Sequence, residues 1–199
     1  MYLFGRSTTL SSNDGLAWAV GITEHARRAS GLDVELWGQV WSPEFGRVTW
    51  TAFAPDLETL AAAGDAMNAD AAMNAESARG NEFTVGGLDD ALYNVIHGDL
   101  DPGAPQAEYV SATSTVCANG KQLEGMTRAV EIAQHAEKIT GVPTMCIANV
   151  TGVYGGVGWI SGFPNAAALE ASQQAIAADP QFTRLVDDNA ALRSSRLIR

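Results

Sequence analysis

The strongest constraint on this chain is that it repeats itself. With a displacement of 110 residues, Gly15, Ala19, Val20, Ile22, His25, Ala26, Gly31 and Val40 recur as Gly125, Ala129, Val130, Ile132, His135, Ala136, Gly141 and Val150. Conservative pairs add to the match: Glu24 with Gln134, Arg28 with Lys138 and Ser30 with Thr140. The same register sets Phe53 on Phe163. Upstream the displacement becomes 106, and Ser7-Thr8-Thr9-Leu10 falls on Thr113-Ser114-Thr115-Val116. A repeat of this length implies one supersecondary unit used twice. The expected copies are residues 1–99 and 106–199. The Gly- and Pro-rich run from Gly98 to Pro105 reads as the linker between them.

Each copy carries the same order of elements. Residues 2–10 and 108–117 alternate and are rich in Ser, Thr and Val, which predicts strands. Residues 15–30 and 121–140 place apolar side chains at helical spacing and stop at Gly31 and Gly141, as helices do at a C-terminal glycine. Two strands joined by a tight turn follow: 33–42 with 46–54, and 143–153 with 157–163. Next come Ala-rich helices over 56–78 and 165–178, the second broken at Asp179-Pro180 and resuming to about 189. A last strand is expected near 91–97 and near 193–199. Residues 81–90 read as a loop or a short extra strand.

The order is βαββαβ, the ferredoxin-like unit. The fold class is therefore α+β, with two ferredoxin-like βαββαβ repeats forming a pseudo-dimeric α/β barrel. A four-stranded sheet with both helices on one face leaves the other face bare, and a duplicated chain covers it by packing the two bare faces together. In this the chain resembles the dimeric α/β-barrel superfamily, which includes NIPSNAP-like, EthD-like and antibiotic-biosynthesis-monooxygenase proteins. The resemblance rests on element order and duplication and spans nearly the whole chain. It implies that a ligand sits in the barrel or, as in the monooxygenase and haem-binding relatives, on the helix side of a sheet.

Composition narrows the partners. Twelve basic and 23 acidic residues give a formal net charge of −11, which argues against nucleic acid or an anionic membrane surface. No apolar run approaches a membrane span, and MYLFGRSTTL lacks the layout of a signal peptide, so a cytoplasmic location is expected. Cys117 and Cys146 are too few for a disulfide scaffold and read as buried thiols. The glycine run 152–158 is not followed by a helix or by Gly-Lys-Ser/Thr, so it reads as a hairpin turn. No Gly-x-Ser-x-Gly, Cys-x-x-Cys or His-Glu-x-x-His occurs. His97 with Asp99 and Asp101 makes a poor metal set inside a Gly/Pro linker. Neither a metal nor a cofactor is expected.

Strand alternation assigns the candidate site. Val34, Leu36, Val48, Trp50, Ala52 and Ala54 are expected to face the helices, as are Thr144, Cys146, Ala148, Gly158, Ile160 and Gly162. Trp37, Gln39, Trp41, Arg47 and Thr49 from the first copy take the opposite face, with Glu35, Thr51 and Phe53. From the second copy Asn149, Trp159, Val157, Ser161 and Phe163 join them, with Ser111, Thr113 and Thr115. Arg6 falls on the helix face. Aromatic walls with a few orienting polar groups are the composition of a ligand pocket. Equally, such a set fills a small barrel. Glu35 and Arg47, the charges of this face, belong near an open end, where Arg47 meets a ligand anion or pairs with Glu35. His25 and His135, at equal helix positions, are the candidate proton carriers. The leading expectation is a protein that binds a small apolar or aromatic molecule, either as a cofactor-independent monooxygenase or isomerase acting on it or as a binding protein for it. The alternative is a structural or assembly protein with a solidly packed barrel, and a haem protein stands third. A homo-oligomer is compatible with either of the first two.

Overall fold

The computed structural model describes residues 1–41, 46–99, 106–187 and 191–193. The chain forms two compact units, Met1–Leu92 and Tyr93–Arg199. The first contains β1 (Tyr2–Leu10), α1 (Asp14–Ser30), β2 (Val34–Gly38), β3 (Arg47–Ala54), α2 (Leu57–Ala69), α3 (Ala71–Ala78), α4 (Gly80–Phe83) and the first part of β4 (Thr84–His97). The second contains the rest of β4, then β5 (Tyr109–Cys117), α5 (Gln122–Thr140), β6 (Thr144–Asn149), β7 (Gly156–Phe163), α6 (Ala166–Ala178), α7 (Pro180–Asp187) and β8 (Leu192–Arg193). Unit 1 orders its strands β2-β3-β1-β4, and unit 2 orders its own as β4-β6-β7-β5-β8. Within each unit the fold is α+β with an antiparallel sheet.

In unit 1 the apolar face of α1 (Trp18, Ala19, Ile22, Ala26) packs on Val34, Val48, Trp50 and Ala52. In unit 2 Ala129 and Ala133 of α5 pack on Cys117, Cys146, Ala148 and Val157. Both long helices end at a left-handed glycine, Gly31 (φ 69°) and Gly141 (φ 69°), where a side chain would strain the backbone. Before each stop a hydroxyl closes the last turn. Ser30 Oγ donates to Ala26 O (2.6 Å), and Thr140 Oγ1 donates to Ala136 O (2.8 Å).

Four expectations need correction. The Ala-rich helix at 56–78 is not continuous. Asp70 leaves the helix (φ −80°, ψ 114°) and its Oδ1 accepts the Met73 N–H at 2.7 Å, which ends α2 and starts α3. Residues 81–90 are neither a loop nor a separate strand, because α4 leads directly into a β4 that begins at Thr84.

The other two corrections concern faces. Residues directly opposite in a ladder share a face. Cys146 lies opposite Trp159 and Ala148 opposite Val157, so Val157, Trp159, Ser161 and Phe163 face the helices. The ladder closes Gly38 on Val48 in unit 1 but Ala148 on Val157 in unit 2, one residue sooner. A one-residue change of register turns every later side chain to the opposite face. Ser111, Thr113 and Thr115 of β5 lie opposite Ser161, Trp159 and Val157 and turn with them. Gly158, Ile160 and Gly162 take the helix-free face instead.

The glycine run of unit 2 is a turn, with Gly152 (φ 85°) and Gly155 (φ 76°) in the left-handed region. The matching turn around 44–46, most of the linker at 100–105 and the strand expected at 193–199 lie largely or wholly outside the described residues.

Candidate functional site

The helix-free face of unit 1 carries the residues that alternation assigned to it. Along β3, Arg47, Thr49, Thr51 and Phe53 lie opposite Thr9, Ser7, Gly5 and Leu3 of β1. On the other flank, Glu35 and Trp37 of β2 lie opposite Thr51 and Thr49. The polar atoms of this face hold one another. Trp37 Nε1 donates to Thr51 Oγ1 at 3.0 Å, and the hydroxyls of Ser7 and Thr49 share a hydrogen bond at 2.8 Å. The indole is thus pinned by its edge. Gly5, opposite Thr51, is buried in the middle of the face.

The charges settle differently from either reading of the sequence. Arg47 Nη2 donates to Asp89 Oδ2 of β4 at 2.9 Å, so its partner is neither Glu35 nor an open position. Arg6 lies opposite Trp50, on the helix face, and Asp90 takes it bidentately at 2.7 and 2.6 Å. Neighbouring aspartates of β4 thus anchor an arginine on each face. Glu35 is left half-buried, and no hydrogen bond or ion pair among the described residues holds its carboxylate. Burial pushes its carboxyl above the usual glutamate value, Asp33 adds to the rise, and Arg27 offsets part of it. Glu35 belongs to this face by alternation, but only its burial without a partner marks it as a group that can take up a proton.

Other expected residues lie elsewhere. β2 ends at Gly38, so Gln39 and Trp41 follow the strand. Trp41 is 78% exposed, with the left-handed φ of 53°, and forms no wall of the Trp37 face. Trp159 sits on the helix side of unit 2, where Nε1 donates to Ala129 O of α5 at 2.8 Å. Asn149 takes the helix-free face of unit 2 opposite Tyr93, and its Nδ2 donates to Val153 O at 3.2 Å. Alternation in β6 places Asn149 on this face, whereas Tyr93 joins it only through the pairing of β4 with β6, which no local pattern encodes.

The structure brings neither helix histidine to the Trp37 face. His25 Nδ1 meets Arg28 Nη2 at 2.7 Å on α1, which packs against the other side of the sheet. His135 Nε2 meets Asp179 Oδ1 at 3.2 Å. His97 meets Glu137 Oε2 at 3.3 Å. Among the described residues no group of three His, Cys, Asp or Glu side chains is placed to hold a metal ion. No described helix is long and apolar enough to cross a membrane.

The helix side of unit 1, the second place for a ligand, is filled. Trp50 Nε1 donates to Thr23 Oγ1 (2.9 Å), which donates on to Ala19 O (2.7 Å). Trp18 packs edge-on against Trp50, with ring centroids 6.0 Å apart. Two indoles occupy the space that small residues such as Ala52 leave above the sheet.

No family model matches the sequence, and no curated protein matches it. The fold is similar to that of a candidate monooxygenase from Fusobacterium nucleatum, with a TM-score of 0.68 and 9% identity over 96% of this chain and 88% of the other. A candidate monooxygenase from Lactobacillus acidophilus gives 0.64 and 12% identity over 97% and 90%. An anthrone oxidase-like protein gives 0.60 and 13% identity over 93% and 83%. At such identities the likeness to these proteins is one of backbone alone, and the chemistry has to be argued from this chain's own side chains.

Proposed function

We propose that the helix-free face of unit 1 binds a small aromatic or apolar molecule and that the protein is a cofactor-independent monooxygenase or isomerase acting on it. The observation that carries this reading is the pairing of the pinned Trp37 indole with Glu35, half-buried and without a hydrogen bond or ion pair among the described residues, on one face. A flat apolar wall orients an aromatic substrate. A carboxylate that burial has made more basic takes a proton from an acidic C–H or O–H of that substrate. The electron-rich anion left behind either reacts with dioxygen as co-substrate or is reprotonated at another carbon. Both outcomes start from the same proton transfer, and neither needs a protein-bound cofactor. The monooxygenase and anthrone oxidase-like proteins of similar fold favour the first.

The matching element orders of the two units support a further part of this reading, that residues 1–99 and 106–199 are duplicated repeats arranged as a pseudo-dimer. In it the first copy carries the site. Titration of the intact protein with anthrone, followed by tryptophan fluorescence and by the appearance of oxidised product, tests the proposal. Saturable quenching that Trp37→Ala abolishes, with its circular dichroism unchanged, is the expected result. Absence of saturable binding across a panel of polycyclic phenols, or equal binding by Trp37→Ala, overturns it.

A further inference from the structure

The two units differ between their outer helices. In unit 1, Trp18 of α1 lies against α3 and α4. It stacks on Phe83 with centroids 5.8 Å apart, and its Nε1 donates to Glu76 O at 3.1 Å. A Cβ on Gly80 would stand 3.1 Å from the ring, so nothing larger than glycine fits beside it without a shift. Counting back from the glycines that end α1 and α5, the residue of α5 at Trp18's position is Arg128. Counting on from Asp70 and Asp179, Ala75 and Glu76 of α3 correspond to Arg184 and Leu185 of α7.

Where unit 1 has its indole, unit 2 has an opening. A surface cleft of about 350 Å³ lies between α5 and α7, lined by Glu131, Gln134, His135, Lys138, Gln181 and Leu185. A second hollow of about 250 Å³ shares Gln181 and Leu185 with it and adds Arg128 and Arg184. The carboxylates here are already engaged. Glu131 accepts from Arg128 at 2.6 Å. Asp179 Oδ1 accepts the Phe182 N–H at 2.6 Å and faces His135. Lys138 and Arg184 make no hydrogen bond or ion pair among the described residues. Lys138 stands at the cleft and Arg184 at the hollow beside it, two cations on adjoining hollows in a chain of net charge −11.

We propose that the two adjoining α5–α7 hollows of unit 2 together form a binding site for a small organic anion. Its carboxylate or phosphate lies within reach of Lys138 and Arg184, its apolar body lies on Leu185, and the side-chain amides of Gln134 and Gln181 satisfy its remaining polar atoms. The site is independent of the Trp37 face, and its occupancy does not require that reading to hold.

Phenyl phosphate and inorganic phosphate, titrated separately into the full chain, are the probes. The ring resonances of His135 report the place of binding and calorimetry reports the affinity. Phenyl phosphate is expected to shift the His135 signals saturably and to bind more tightly than inorganic phosphate. The double substitution Lys138→Ala with Arg184→Ala weakens binding about tenfold or more. Arg128→Trp fills the hollow that Arg128 and Arg184 line and removes binding while Lys138 and Arg184 stay in place. A His135 signal unmoved by either anion overturns the proposal. So does undiminished affinity in the double variant or in Arg128→Trp, and equal affinity for the two phosphates overturns its organic part.

Discussion

Trp18, Trp50 and Trp159 show how far single residues can be read. Alternation placed Trp50 on the helix face, where its N–H finds Thr23. Trp159 was misplaced by one step of register, yet it ends with the same task, donating to a helix at Ala129. Trp18 is 8% exposed, and its truncation leaves a cavity between three elements. Trp18→Ala is expected to cost about 3–5 kcal/mol in denaturant unfolding, whereas Arg128→Ala at the matching position stays within about 0.5 kcal/mol. Cys146 is fully buried, and burial pushes its thiol up to about 12. Burial raises Cys117 as well. Neither thiol should react with iodoacetamide at pH 8 in the native protein, and both should react in denaturant, as counted by mass spectrometry. Glu35→Gln keeps the shape of the Trp37 face and removes its base. It is expected to leave anthrone binding unchanged and to lower turnover by about 10²–10⁴-fold, a split that single-turnover measurements resolve.

At the scale of elements, the helices that follow α2 and α6 depend on one aspartate each. The Met73 N–H holds the Asp70 carboxyl below the usual range, with Arg28 and His25 assisting. The Phe182 N–H does the same for Asp179, with His135 assisting. Asp56, capping α2 through the Thr59 N–H, is depressed too. A carboxyl depressed in the folded state contributes stability that is present above its unfolded value of about 4. That contribution is lost as pH falls through the folded value. Thermal melts are therefore expected to be insensitive to these groups from pH 7 to about 5 and to fall steeply below 4. Asp70→Asn with Asp179→Asn keeps a capping oxygen but removes the charge, so its melts should vary less between pH 5 and 2 than those of the unsubstituted chain. Asp179 was legible as a break because Pro180 follows it. Asp70 was not, because Ala71 and Ala72 after it are strong helix formers, and the side-chain cap outweighed their propensity.

For the whole molecule the decisive element is β4. Its residues up to Leu92 belong to unit 1 and those from Tyr93 to unit 2. Tyr93, Asn94, Val95 and His97 pair with Asn149, Ala148, Ile147 and Cys146, and a bulge at Ile96 lets that side chain join the core of unit 2. A fragment of residues 106–199 therefore lacks the strand that pairs with β6 and exposes a hydrogen-bonding edge. It should be less stable and more prone to aggregate than a fragment of 93–199, as compared by urea unfolding and sedimentation. Equal behaviour of the two fragments would show that the end of β4 adds nothing to unit 2.

The sequence by itself determined the element order, the matched helices and their glycine stops, because periodicity and turn chemistry are local properties written in consecutive residues. It also determined which side chains of β2, β3 and β6 share a face, since alternation needs no partner. Tertiary structure alone decided the rest. The register of β7 hung on a single residue of loop length. The partners of Arg47 and Arg6 waited on where β4 lies, more than 40 residues away in the chain. Glu35, by contrast, finds no hydrogen bond or ion pair among the described residues. The hollows of unit 2 lie between α5 and α7, two helices distant in sequence, with Arg128 where unit 1 holds an indole. Pairing, burial and cavities are properties of contacts between distant segments, and no pattern along one segment encodes them.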